Sequence, residues 1–162
     1  MLKLYRFLVL AAMIVLSACS DEGKKQSSNV VSIDAAVVAQ DTQEVKNVFQ
    51  VDLADTQEKI YHGLMGRTSI AENYGLLFDV NIAPKDAQIA FWMKDTLIPL
   101  DMLFMDKDGV IFFIHKDAQP NDVTAIIPPK RPRAVLEVNA GQVDKYGISV
   151  GDVLKADLFG NN

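Results

Sequence analysis

Residues 91–116 read FWMKDTLIPLDMLFMDKDGVIFFIHK. Two apolar runs, Asp101 to Asp106 and Val110 to Lys116, flank Lys107-Asp108-Gly109. A turn triplet ending on glycine between two such runs signals a β-hairpin, because glycine accepts the positive φ of a tight turn without steric cost. Upstream, the same stretch carries the only Trp of the chain, Trp92, and a polar trio, Lys94, Asp95 and Thr96, before Pro99. Proline cannot donate to a sheet ladder, so Pro99 marks a strand end or edge. The stretch thus predicts two paired strands with a polar, aromatic segment at their mouth.

Outward from this hairpin the pattern stays β-rich. Phe49, Val51 and Leu53 alternate with Gln50 and Asp52, the period of a half-buried strand. Asp55 stands three residues before Glu58, which predicts a helix N-cap, a helix over 56–62 and a stop at Gly63. Gly75 to Val80 and Gln88 to Met93 predict strands, separated by a loop around Pro84. Residues 126–132 contain three prolines and predict an ordered loop. Residues 134–140 alternate as another strand, Asp144 to Tyr146 fits one helical turn stopped by Gly147, and Val153 to Phe159 predicts a last strand. Residues 30–39 suit either a first edge strand or a tether. The expected architecture is a mainly β single domain over 46–162, sandwich or barrel-like, with one short helix; an α+β fold is the alternative.

The N-terminus predicts a different role. Lys3 and Arg6 precede an apolar run, Phe7 to Leu16, that is short for a membrane span. Leu16-Ser17-Ala18-Cys19 then resembles a bacterial lipobox, which makes residues 1–18 a lipoprotein signal peptide and Cys19 the lipidation site. An ordinary secretory signal with a coincidental Cys is the other reading. Two or more acyl chains on such a cysteine would anchor it stably. Ser20, rather than an Asp, tilts the expected localisation to the outer membrane, facing the periplasm. Residues 19–45 are expected to form a flexible tether. Cys19 is the sole cysteine, so neither an intramolecular disulfide nor a Cys metal site can form. Without residues 1–18 the chain keeps 14 Lys+Arg against 21 Asp+Glu, a net −7 over 144 residues. That balance argues against nucleic-acid partners and leaves the membrane, through the lipid, as the expected one.

An ordered motif set runs through the globular part: Gly63-Leu64-Met65-x-Arg67, Gly75-x-Leu77-Phe78, Phe91-Trp92-Met93-Lys94-x-Thr96-x-x-Pro99-Leu100-Asp101, Phe104-x-Asp106, Asp108-Gly109, Leu136-Glu137-Val138-x-Ala140-Gly141 and Gly147-Ile148-x-x-Gly151-Asp152. It resembles the family catalogued as domain of unknown function 192, over roughly residues 46–158. The resemblance implies a compact, mostly β domain, often secreted or lipid-anchored in bacteria, of no established biochemical function. Two positions depart from the family pattern: Leu76, commonly Met, and Asp95, commonly Asn. The second replaces an amide that donates with a carboxylate that only accepts when ionised.

Three sets of side chains are candidates for function. Arg67, with Asp101 and Thr96, could hold an anionic ligand through the planar guanidinium, or Arg67 and Asp101 could be a structural ion pair. If residues 92–96 form a strand, Trp92, Lys94 and Thr96 share one face and Met93 and Asp95 the other. Trp92 would then be a platform for a sugar or flat apolar ring, or ordinary core. His62, Met65, Trp92, Met93, Met102, Met105 and His115 carry the soft donors that suit Cu(I), although Met is also common core filler. Catalysis has thinner support: Asp101 and Glu137 are weak candidates for a carboxylate pair of the glycoside-hydrolase kind. Glu137 could instead pair with Arg131 or Arg133, or face solvent. No cofactor is expected. The competing readings are a binding module for a small ligand or envelope polymer, a hydrolase-type enzyme, a structural or interaction protein, and a Cu(I)-binding module.

Overall fold

A computed structural model describes residues 32–161; the predicted signal peptide, Cys19 and the tether up to residue 31 lie outside the described residues. The elements are β1 (Ser32–Val38), β2 (Val45–Ala54), α1 (Gln57–His62), β3 (Tyr74–Asp79), β4 (Leu100–Met105), β5 (Ile111–Ala118), β6 (Ala134–Asn139), α2 (Gln142–Lys145) and β7 (Val153–Lys155). Single 3-10 turns follow at Val80–Ile82 and Asp157–Phe159. All seven strands form one sheet in the order β5-β4-β6-β3-β2-β1-β7. Every neighbouring pair is antiparallel except β2 and β3, which run parallel and are connected through α1. The sheet curls until its two edges meet. Val110 bridges Val153, the Ile111 N–H donates to the Asp152 carbonyl at 2.8 Å, and the Leu154 N–H donates to the Gly109 carbonyl at 2.9 Å. The domain is mainly β and barrel-like, its two edges touching at one corner, where the chain enters β5 beside β7.

Strand alternation divides the core in two. Leu77, Leu103, Met105, Leu136 and Val138 point to the concave side, where they pack with Phe49, Val51, Val37 and Leu154. Leu76, Phe78, Leu100, Met102, Phe104 and Val135 point to the convex side, where they pack with Leu64, Met93 and Ile98 from the connections. Strands β3, β4 and β6 are therefore covered on both faces, which explains their nearly unbroken apolar runs. An edge-to-face series, Phe78–Phe91 at 5.2 Å and Phe91–Phe104 at 5.7 Å between ring centroids, fastens the 83–99 connection onto the sheet.

Several local expectations shift. The helix is capped by Thr56, whose hydroxyl accepts from the Lys59 N–H at 3.2 Å. Asp55 instead pairs with Lys59 at 2.7 Å. Residues 32–38, inside the expected tether, form β1, which lies between β2 and β7 because Ala35 and Val37 are fully buried. Residues 88–93 are not a strand. Only Phe91 bridges, to Ile126 in the proline-rich loop, so the segment lies across the convex face as a connection. The last strand stops at Lys155, where the 3-10 turn takes over.

Two motif glycines have packing reasons. Gly109 carries φ 82° in the hairpin, and a Cβ there would sit 2.5 Å from the Leu154 carbonyl oxygen, at the seam where the sheet closes. Gly75 has an ordinary φ, but a Cβ would lie 2.8 Å from Leu136 Cδ1 and 3.1 Å from the Glu137 carbonyl oxygen. Gly75→Ala is expected to push β3 off β6 and to destabilise the domain by about 1–3 kcal/mol, read as a lower urea midpoint.

Candidate functional site

The convex layer leaves a cavity of about 340 Å³ between α1 and the connection that follows β3. One wall is Ile60, Tyr61 and His62 with Leu64 and Met65 just beyond the helix. Gly63, at φ 47°, ends the helix and turns the chain back over the sheet. The opposite wall is Ile82, Pro84, Ile89, Phe91 and Trp92. Phe78, Val80 and Glu137 come from the sheet side, and Thr96 reaches in from the turn after Trp92. Trp92 is 50 % exposed and Tyr61 is also exposed, so both aromatics stand where the cavity meets solvent.

Glu137 is the unusual member. It lies on β6 opposite Leu76 of β3 and Met102 of β4, pointing to the convex side with only 4 % of its surface exposed. Its carboxyl has no hydrogen bond or ion pair among the described residues. The two nearby arginines are engaged elsewhere: Arg131 donates to the carbonyls of Val80, Ala83 and Ala87, and Arg133 pairs with Asp79 and donates to Leu158 O. Burial alone pushes the Glu137 carboxyl up to about 8, so it is mostly neutral at pH 7. Thr96 is also buried, and its hydroxyl makes only a long contact, 3.4 Å, to the Lys94 carbonyl.

The sequence-predicted sites are redistributed. Arg67 is exposed, makes no ion pair among the described residues and does not line the cavity. Its charge lies near Tyr74, where it opposes the upward push on that phenol from burial and from the 2.6 Å hydrogen bond to Asp52. Arg67 and Asp101 therefore do not form the expected pair. Asp101 is 1 % exposed and serves as a backbone clip: it accepts from the Asp117 N–H at 2.9 Å and from the Val143 N–H at 3.0 Å. Asp101 also sits one residue out of phase with Glu137, opposite Val138. The two carboxyls face opposite sides of the sheet and cannot act on one substrate.

Residues 92–96 are a turn rather than a strand. The Thr96 N–H donates to the Met93 carbonyl at 3.1 Å, and Asp95 alone has positive φ, 54°, the type II pattern. Trp92, Lys94 and Asp95 are accordingly exposed while Met93 and Thr96 are buried. The turn also accounts for an Asn preference at 95, since Asn tolerates left-handed backbone best after Gly. The Asp95 carbonyl accepts from the Gly66 N–H at 2.8 Å, joining the two motif segments through the backbone.

The Met and His set is dispersed. Met102 and Met105 are fully buried on opposite sides of β4, Met93 is in the convex core, His115 lies on β5, and His62 and Met65 line the cavity. No group of three or more His, Cys, Asp or Glu is placed to hold a metal ion among the described residues. Glu137 as the centre of a cavity was legible only as a charged residue inside the apolar run Ala134 to Asn139.

The sequence profile of the DUF192 family, described as "Uncharacterized ACR", matches residues 36–156. The chain belongs to the DUF192 family. Two solved structures resemble this DUF192 domain. One is a protein of unknown function from Novosphingobium aromaticivorans, 31 % identical, with a TM-score of 0.72, covering 81 % of this chain and 89 % of its own. The other is a protein from Sinorhizobium meliloti described as a candidate transcription regulator, 34 % identical, with a TM-score of 0.70, covering 77 % of this chain and 94 % of its own. No curated protein matches the DUF192 chain. The family motifs now have structural meanings: Asp106 accepts from the Asp108 and Val110 N–H groups in the hairpin, and Asp152 joins Lys46 at 2.7 Å to the Ser149 N–H.

Proposed function

We propose that this DUF192 chain is a lipid-anchored, periplasm-facing domain that binds a small ligand, or a side group of an envelope polymer, in the cavity beside α1. The observation that carries this reading is Glu137: a buried carboxyl without a protein partner, opening into an apolar cavity. A polar group buried alone costs stability, and a ligand that satisfies it recovers that cost on binding. Mostly apolar walls with a few placed polar groups, here Glu137 and Thr96 among them, are the usual composition of small-molecule sites. The described chain begins at Ser32, opposite Asp52 and close to the end of β2 that leads into α1. A lipid on Cys19, followed by a tether, would thus hold the cavity end of the sheet toward the membrane, the outer one by the Ser20 criterion. No helix among the described residues is long and apolar enough to cross a membrane.

The hydrolase reading loses its carboxylate pair to the sheet, and the absence of Lys and Arg from the cavity lining gives nucleic-acid phosphate no counter-charge there. The test is a thermal-shift screen of sugars, peptidoglycan fragments, nucleotides and small amines on the purified full chain, with Trp92 emission recorded in parallel. At least one class is expected to raise Tm and move the emission together. A screen that moves neither sinks the binding reading. Separately, a labelled fatty acid is expected to enter the wild-type chain and not Cys19→Ser.

A further inference from the structure

We propose that the ligand is cationic: a protonated amine on an apolar body, whose ammonium pairs with the Glu137 carboxylate while its body fills the cavity between α1 and Trp92. The inference rests on the binding reading above and adds the chemical class. Three observations point the same way. First, the only acidic group in the lining is Glu137, and no Lys or Arg lines the cavity. An anionic ligand would meet a carboxyl and no counter-charge. A neutral one could hydrogen-bond to Thr96, Gln57 or Gln88 as well as to Glu137, whereas only a cation gains a full charge partner out of water, where such pairing is strongest.

Second, among the described residues no Lys, Arg or His pairs with Glu137. Arg131 and Arg133 spend their donors on backbone carbonyls and on Asp79. The residues flanking Glu137 on β3 and β4 are Leu76 and Met102. The titratable groups that α1 brings to the cavity are Tyr61 and His62, both exposed, and the 82–92 wall brings none. His62, the one basic side chain in the lining, makes no ion pair with Glu137, so the described residues leave its carboxyl without a charge partner. Third, the aromatic rings of Tyr61, Phe91 and Trp92 line the cavity, and ring faces attract cations that have been stripped of water.

Binding an ammonium converts the neutral acid to its carboxylate and releases one proton to solvent. The ammonium stays protonated, so charge is balanced within the cavity. Affinity is therefore expected to rise about tenfold per pH unit below the acid's midpoint near 8 and to level off above it.

The experiment titrates the full chain with three isosteres, cyclohexylmethylamine, cyclohexylmethanol and cyclohexanecarboxylate, following Trp92 fluorescence, since Trp92 is the only Trp and lines the cavity. The amine is expected to bind at least tenfold more tightly than the other two at pH 7.5, to tighten about tenfold per unit between pH 5.5 and 7.5, and to weaken at least tenfold in Glu137→Gln. Equal or tighter binding of the alcohol or the carboxylate overturns the cationic class and leaves the binding reading standing. So does amine binding that ignores pH or survives Glu137→Gln. No response to any of the three, with a flat outcome in the broad screen, overturns both. Should Glu137→Gln fail to fold, the pH profile of wild type and the ranking of the three isosteres decide the matter alone.

Discussion

Glu137→Gln is expected to flatten the pH dependence of stability. Wild type should lose about 1.4 kcal/mol per pH unit relative to the variant between roughly pH 5 and 8. The folded-state carboxyl is raised by burial to about 8, whereas in the unfolded chain it titrates near 4.5. Between those values the unfolded chain has released its proton and the folded chain has not. The unfolded state then binds fewer protons, so stability falls as pH rises. The stabilising contribution is complete below pH 4.5 and gone above 8, the reverse of a salt-bridged carboxylate. Gln keeps the shape and the neutrality without the proton. Urea titrations of both proteins at pH 5.0, 6.5 and 8.0 measure the effect. Parallel curves at the three values would mean that Glu137 ionises in the fold as easily as in water, and the cavity would have no buried acid.

Asp101→Ala is expected to cost about 3–5 kcal/mol, because each hydrogen bond to a charged group is worth about 1.5–3 kcal/mol. The carboxylate accepts from Val143 at the start of α2 and from Asp117 near the end of β5, two segments far apart in sequence. Removing it leaves both N–H groups without their acceptor, the Val143 one in a buried position and the Asp117 one in a part-buried position. Asp101→Asn keeps one acceptor and should cost less, about 1–3 kcal/mol. Because Asp101 is on the concave side, the folded fraction of either variant should show wild-type ligand titrations through Trp92. A variant that folds normally but loses the Trp92 response would move Asp101 from scaffold to site.

The contrast between these two carboxyls shows where sequence reading ends. Both sit in apolar runs next to motif residues, and nothing local distinguishes Asp101, saturated by two N–H groups, from Glu137, left without a partner. The difference is one of strand phase. Met102, not Asp101, lies opposite Glu137, and a shift of one residue transfers a side chain through the sheet. Arg67 is a similar case: its neighbours in the motif suggest a ligand or an ion pair, and the structure leaves its side chain exposed, outside the cavity lining and without an ion pair among the described residues. The strand expected over 88–93 failed because an apolar run suits a strand or a buried connection equally, and only contacts with Ile126 and the phenylalanine series select the second.

By itself the sequence determined the mainly β class, the hairpin at Gly109, the helix ended by Gly63 and the family, since period, turn chemistry and ordered motifs are local properties. Tertiary structure alone decided that β1 belongs inside the sheet, that the sheet curls until its edges touch at Val110 and Val153 and that a second layer covers its convex side. It also decided that Glu137, rather than Arg67 or Asp101, faces the cavity. Those outcomes depend on which face each strand turns toward which partner, and that is settled by burial summed over distant segments.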